Sequence, residues 1–167
     1  MIYLDNAATT MVSNRVLSAM LPYFTERYGN AGSIHAMGLD AAEALRKARE
    51  RCAKPIHANP DDIIFTSGGS EANTLAIVGL AEHLKRTGRT HVLTTPVEHP
   101  SVLEAMKHLF YNGFEVEYLP LTKRGELDIA ELTSKIRKNT GLISVMAVNN
   151  ETGNSYDIHK IGAKCKK

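Results

Sequence analysis

Cysteine is scarce in this chain: its 167 residues hold two, Cys52 and Cys165, too few for a disulfide scaffold. Long apolar runs are absent, and no stretch approaches the roughly 18 uncharged apolar residues that a membrane span needs. Neither sign of charge dominates. The 20 Lys+Arg against 18 Asp+Glu leave a net charge of +2, which predicts no nucleic-acid partner. Positive charge gathers only in Lys160, Lys164, Lys166 and Lys167. The opening residues lack a basic segment followed by an apolar core, so no secretory signal is expected, and the expected compartment is a reducing cytoplasm. No GxxxxGK[ST] phosphate loop occurs. None of the histidines has metal-ligand spacing to a second His or Cys, so no metal site is expected. What is present is 43% hydrophobic, with apolar runs recurring along the whole length. That excludes disorder and suits one ordinary domain, or a piece of a larger one.

The periodicity reads as two regions. Residues 13–28 carry Val16, Leu17, Met20, Leu21 and Phe24 at helical spacing, with Pro22 predicting a kink. Residues 38–54 read as a helix with a narrow face of small residues, Asp40 as a candidate cap and Pro55 as its stop. Beyond residue 60 the pattern alternates. Residues 63–65 read as a buried strand, 70–86 as a helix stopped by Gly88, 91–95 as a strand and 101–111 as a helix. Then come a strand at 114–119, a helix at 128–138 and a strand at 142–148. This alternation predicts an α/β fold with a mostly parallel sheet covered on both faces.

In such a sheet, ligands bind at the loops leaving the C-terminal strand ends. Three loops are rich in polar residues: 66–73 (TSGGSEAN), 95–101 (TPVEHPS) and 149–153 (NNETG). In the first, two glycines allow a sharp turn and close approach to a ligand. The helix that follows offers unpaired amides and the positive end of its dipole. The loop reads as a phosphate cup to which Ser70 adds a hydroxyl, or as a plain glycine turn with a serine cap. Glu71 would repel a phosphate unless its side chain points aside. In the second loop His99 lies between two prolines, ahead of a capping box made by Ser101 and Glu104. It could stack on a flat ring, move protons, or sit idle in a surface loop. The asparagines of the third loop could bond a ring substituent or simply make a turn. The segment 5–10 (DNAATT) could line a pocket or make a turn. Cys52 reads as a helix residue and Cys165 as a solvated tail residue. The other six histidines read as solvated or packing residues.

In order and spacing, YLDNAATT at 3–10, YGNAGSIH at 28–35, FTSGGSEANTLAI at 65–77, PVEHPSVLE at 96–104 and VNNETG at 148–153 resemble the cysteine desulfurases. These are pyridoxal-phosphate (PLP) enzymes of the class V aminotransferase group. The resemblance covers essentially the whole chain. It implies a three-layer PLP-dependent transferase large domain, with an N-terminal segment at 1–60 and βα repeats at 61–167, cut short and lacking the small C-terminal domain. It implies that Gly69 and Ser70 hold the cofactor phosphate. His99 would stack on the pyridine ring and assist proton transfer. Asn150 would bond the ring hydroxyl near the substrate carboxylate, and Asn6 and Ala7 would border the substrate pocket.

Family members convert L-cysteine to L-alanine and pass the sulfur to an enzyme cysteine as a persulfide, feeding iron–sulfur cluster or thio-cofactor synthesis. They act as homodimers alongside sulfur-acceptor proteins. Their chemistry needs a lysine in an SxHK context that holds the cofactor covalently, an aspartate for the ring nitrogen and a nucleophilic cysteine. None has a counterpart here, so the 167 residues alone are expected to be inactive, with PLP bound non-covalently at most. Residues 161–166 resemble a family helix, not the cysteine loop. The alternatives are a selenocysteine lyase or other class V enzyme, and a non-catalytic subunit or gene fragment that a second, C-terminal polypeptide would complement.

Overall fold

The computed structural model describes residues 2–165. Lys166 and Lys167 of the terminal charge cluster lie outside the described residues. The chain divides into two compact units, Met1–Phe65 and Thr66–Lys167.

The second unit is built on β1 (His91–Thr94), with β2 (Glu115–Tyr118) on one side and β3 (Thr140–Ser144) on the other. Both pairings are parallel. A parallel pair needs a crossover, and α6 (Pro100–Tyr111) and α7 (Ile129–Lys135) supply them. Successive strand residues face opposite sides. Val92 therefore joins Ile77, Leu84, Val102, Met106 and Leu109 on one face, under α4 (Gly69–Gly79), α5 (Ala81–Arg86) and α6. Leu93 joins Leu119, Leu132 and Ile161 on the other, under α7 and α8 (Ile158–Cys165). The sheet is covered on both faces, as the alternating pattern predicts.

Three expectations are corrected in this unit. The helix over 70–86 is two helices, because Gly79, a poor helix residue, falls at the break. The last helix before β3 ends at Lys135, and β3 starts two residues earlier than expected. β3 also stops at Ser144, since its neighbour β1 ends at the paired Thr94. Beyond that point the Met146 N–H donates to the Glu98 carboxylate at 2.9 Å, not to a strand.

The first unit holds α1 (Asn14–Met20), α2 (Pro22–Thr25) and α3 (Ala36–Ala53). The break before Pro22 is the expected one. The expected cap of α3 is not: His35 Nδ1 accepts from Gly38 N–H at 3.4 Å, while Asp40 takes a two-point ion pair from Arg27 at 2.6 and 2.8 Å. The 28–35 loop lies close against the first turn of α3. A Cβ on Gly38 would stand 2.1 Å from the Ser33 carbonyl oxygen, so glycine is required there. Residues 63–65 are not a strand: no segment among the described residues pairs with them, and Ile64 and Phe65 are exposed. The apolar face of α1 and α2 (Val16, Leu17, Met20, Phe24) is exposed as well.

Candidate cofactor site

The first loop opens α4 without a side-chain cap at Gly68. The first helical bond runs from Ala72 N–H to the Gly68 carbonyl at 3.1 Å, so the amides of Gly69, Ser70 and Glu71 precede it in the open first turn. Glu71 turns back, accepting from both the Ser67 N–H and the Ser67 hydroxyl at 2.6 Å. The Ser67 hydroxyl, and after it the Ser67 amide, hold this carboxyl below the usual carboxylate range. The carboxylate is thus bonded back onto Ser67, at the residue before the glycines. The glycines do not act through a sharp turn: Gly68 is fully extended and Gly69 opens the helix. Their contribution is space, because a Cβ on either would meet nothing within 4 Å. This loop also follows no strand, contrary to expectation, since residues 63–65 form none.

The second loop leaves the C-terminal end of β1. Its anchor is Glu98, a buried carboxylate that accepts from the Thr95 hydroxyl at 2.7 Å and from Met146 N–H at 2.9 Å. His99 follows as the N-cap of α6: its Nδ1 accepts from Ser101 N–H at 3.1 Å and lies 2.7 Å from Ser101 Oγ. Ser101 is therefore not the cap, and Glu104 pairs with Lys107 instead of closing a capping box. Asn73 of α4 donates to Ser101 Oγ at 2.9 Å, joining the first loop's helix to the second loop.

The third loop hangs on Asn149. This buried amide donates to the Val97 carbonyl at 2.9 Å and accepts from the Glu151 and Thr152 N–H groups, each at 2.9 Å. Gly153 closes the turn at φ +77°. Asn150 next to it is exposed, its amide on the Glu151 carboxylate at 3.0 Å. Sequence reasoning singled out Asn150 and missed Asn149 and Glu98 as organisers. An asparagine directly after the apolar run 142–148 was the available sign, because its side chain readily caps the amides two residues on.

Gly69, Ser70, His99 and Asn150 thus all lie in the second unit, on loops tied together through Asn73–Ser101, Glu98–Met146 and Asn149–Val97. Asn6 and Ala7 lie in the first unit, in a turn closed by Ala8 N–H on the Asp5 carbonyl at 3.1 Å. That unit has its own cavity of about 720 Å³, lined by Tyr23, Arg27, Asp40, Leu45 and Arg51 among others, with neither Asn6 nor Ala7 in its wall.

A different cluster sits at the opposite strand ends. His91 is fully buried, with Nδ1 2.8 Å from Thr140 Oγ1 and Nε2 3.2 Å from Glu117. His91, Glu115 and Glu117 present ligand atoms within 4.8 Å of one another. Lys135 and Arg137 already occupy those carboxylates. Lys135 leads in holding the Glu117 carboxyl below its ordinary range. The cluster is an ion-pair network locking the starts of the strands.

A parallel sheet covered on both faces, with polar loops beyond the C-terminal ends of β1 and β3, is an α/β architecture of the kind found in the large domain of PLP-dependent transferases. The aminotransferase class-V family model matches residues 2–167, and the chain belongs to that family. It is 48% identical over 166 residues to cysteine desulfurase IscS of Neisseria meningitidis serogroup C, covering 99% of this chain and 41% of that one. It is 46% identical to a mitochondrial cysteine desulfurase of Arthroderma benhamiae, covering 99% of this chain and 33% of that one. Among solved structures, a NifS-like protein superposes with a TM-score of 0.92 at 38% identity, over 96% of this chain and 44% of the other. SspA in complex with cysteine superposes at 0.91 and 37% identity, over 98% of this chain and 47% of the other. The chain therefore spans less than half the length of these relatives.

Proposed function

We propose that this chain is the PLP-holding part of a cysteine desulfurase. The open first turn of α4, with the Glu71 carboxylate bonded back to Ser67 and free space at Gly68 and Gly69, carries the reading. Its amides and the Ser70 hydroxyl suit a phosphate dianion. His99, at the mouth of the second loop, offers a flat imidazole to the cofactor ring, and Asn150 an amide to the ring hydroxyl. When bound, PLP supplies an electron sink for bonds at the substrate α-carbon. The reaction breaks the carbon–sulfur bond of L-cysteine and forms a sulfur–sulfur bond on a cysteine thiol, giving a persulfide and L-alanine. The resemblance gives no such role to Cys52 of α3 or Cys165 of α8. The active form is a homodimer in the cytoplasm, handing sulfur to an acceptor protein. No helix among the described residues is long and apolar enough to cross a membrane.

The test is titration of the purified 167-residue chain with PLP, followed by L-cysteine. Saturable PLP binding that is weakened at least tenfold by Ser70→Ala, is not fixed by borohydride, and gives no sustained alanine or sulfide is the expected result. Absence of PLP binding overturns the cofactor reading. Sustained alanine production overturns the expectation that these residues alone are inactive.

A further inference from the structure

A backbone N–H can only donate. The Ser101 N–H points at His99 Nδ1 at 3.1 Å, so that nitrogen must hold a lone pair, and the neutral ring carries its proton on Nε2. The Ser101 hydroxyl, 2.7 Å from the same nitrogen, must then donate as well. It is free to do so because Asn73 Nδ2 donates into its oxygen at 2.9 Å. The opposite amide orientation would draw the hydroxyl proton toward Asn73. A Ser101 lone pair would then face the Nδ1 lone pair at 2.7 Å. Only the direction Asn73 to Ser101 to His99 leaves every contact attractive. The packing of α4 against α6 brings these residues together, 28 positions apart in sequence.

We infer that Asn73 is a positioning residue that acts through Ser101 to hold His99 as the Nε2–H tautomer. Nε2 then leads as a hydrogen-bond donor, suited to an anionic or carbonyl oxygen on the substrate. To accept a proton, His99 must do so at Nδ1, which breaks the bond that caps α6. At Nε2 the resting ring is therefore a donor and not an acceptor. This deepens the proposed function and depends on it only for the identity of the oxygen that Nε2 meets.

The experiment reads the ring nitrogens directly, by long-range 1H–15N correlation on the 15N-histidine-labelled chain without PLP. Alkaline buffer keeps imidazole neutral, and His99→Gln assigns the signals. In the wild type, Nε2 should appear protonated and Nδ1 unprotonated. Asn73→Ala and Ser101→Ala should each move the tautomer ratio about fivefold toward Nδ1–H, the size of one ordinary hydrogen bond. Asn73→Asp, which can only accept from the serine, should move it further. A wild-type ring protonated on Nδ1 overturns the inference, even if no variant folds. So does a ratio unmoved in all three folded variants. Failure of PLP to bind while the tautomer is as stated would sink the proposed function and leave this inference standing.

Discussion

Glu98 shows how one residue can govern a loop without touching a ligand. Its carboxylate serves two donors from different parts of the unit, the Thr95 hydroxyl and the Met146 amide, and all three groups are shielded from water to differing degrees. Removing the acceptor strands both donors, and each buried unsatisfied group costs about 1–3 kcal/mol. Glu98→Ala should therefore lower unfolding free energy by roughly 2–4 kcal/mol, read from urea denaturation. A loss below half of that would mean the loop finds other acceptors. Thr95→Val should cost less, since the Met146 bond survives. Nothing in the sequence marks Glu98 as buried, because a glutamate beside a histidine in a proline-flanked loop looks solvated. Its partner Met146 lies 48 positions away, and local pattern carries no record of such a separation.

At the scale of elements, periodicity was informative wherever a helix buries one face or a strand is buried on both. β1, α6 and the existence of β3 were legible for that reason. The capping residues were not. Ser101 and Asp40 have the chemistry of caps, yet two histidines cap α6 and α3, while the two candidates are engaged by Asn73 and Arg27. The short apolar run at 63–65 satisfied a strand pattern but has no neighbour with which to pair. Glycine is the other point where element and sequence diverge. At Gly79, φ is not positive and a Cβ would sit 3.9 Å from Leu75 Cδ1, an ordinary contact. Gly79→Ala should stabilise by about 0.5–1 kcal/mol. Gly38→Ala should destabilise by about 1–3 kcal/mol, because its Cβ would collide with the Ser33 carbonyl. Chemical denaturation of the pair checks both signs. Equal shifts in one direction would refute the contact argument.

For the whole molecule, the two units differ in what they bury. The second has apolar clusters on both faces of its sheet. In the first, Ala41 and Ala53 are the buried hydrophobic residues among those described, and Val16, Leu17, Met20, Leu21, Phe24 and Ile34 are exposed. Exposed apolar surface of this extent drives association. The 167-residue chain should elute from size exclusion above its monomer size. Replacing Leu17 and Phe24 with glutamate should shift it toward monomer without changing the circular dichroism of the sheet-bearing unit. A wild-type monomer at high concentration would contradict this. The family's motif order was legible in the sequence, but this exposure was not, since helical spacing specifies an apolar face without supplying what covers it.

The empty space above Gly68 and Gly69 has one more consequence. Most positions in a folded chain are constrained by their neighbours, so a harmful substitution announces itself as lost stability. At these two glycines the protein offers no neighbour to offend. A methyl group added there meets no protein atom, so it should cost folding little, while a phosphate held as proposed would meet it directly. If the turn holds phosphate as proposed, evolution or an engineer could erase binding there silently, and a screen for well-folded variants would give no protection.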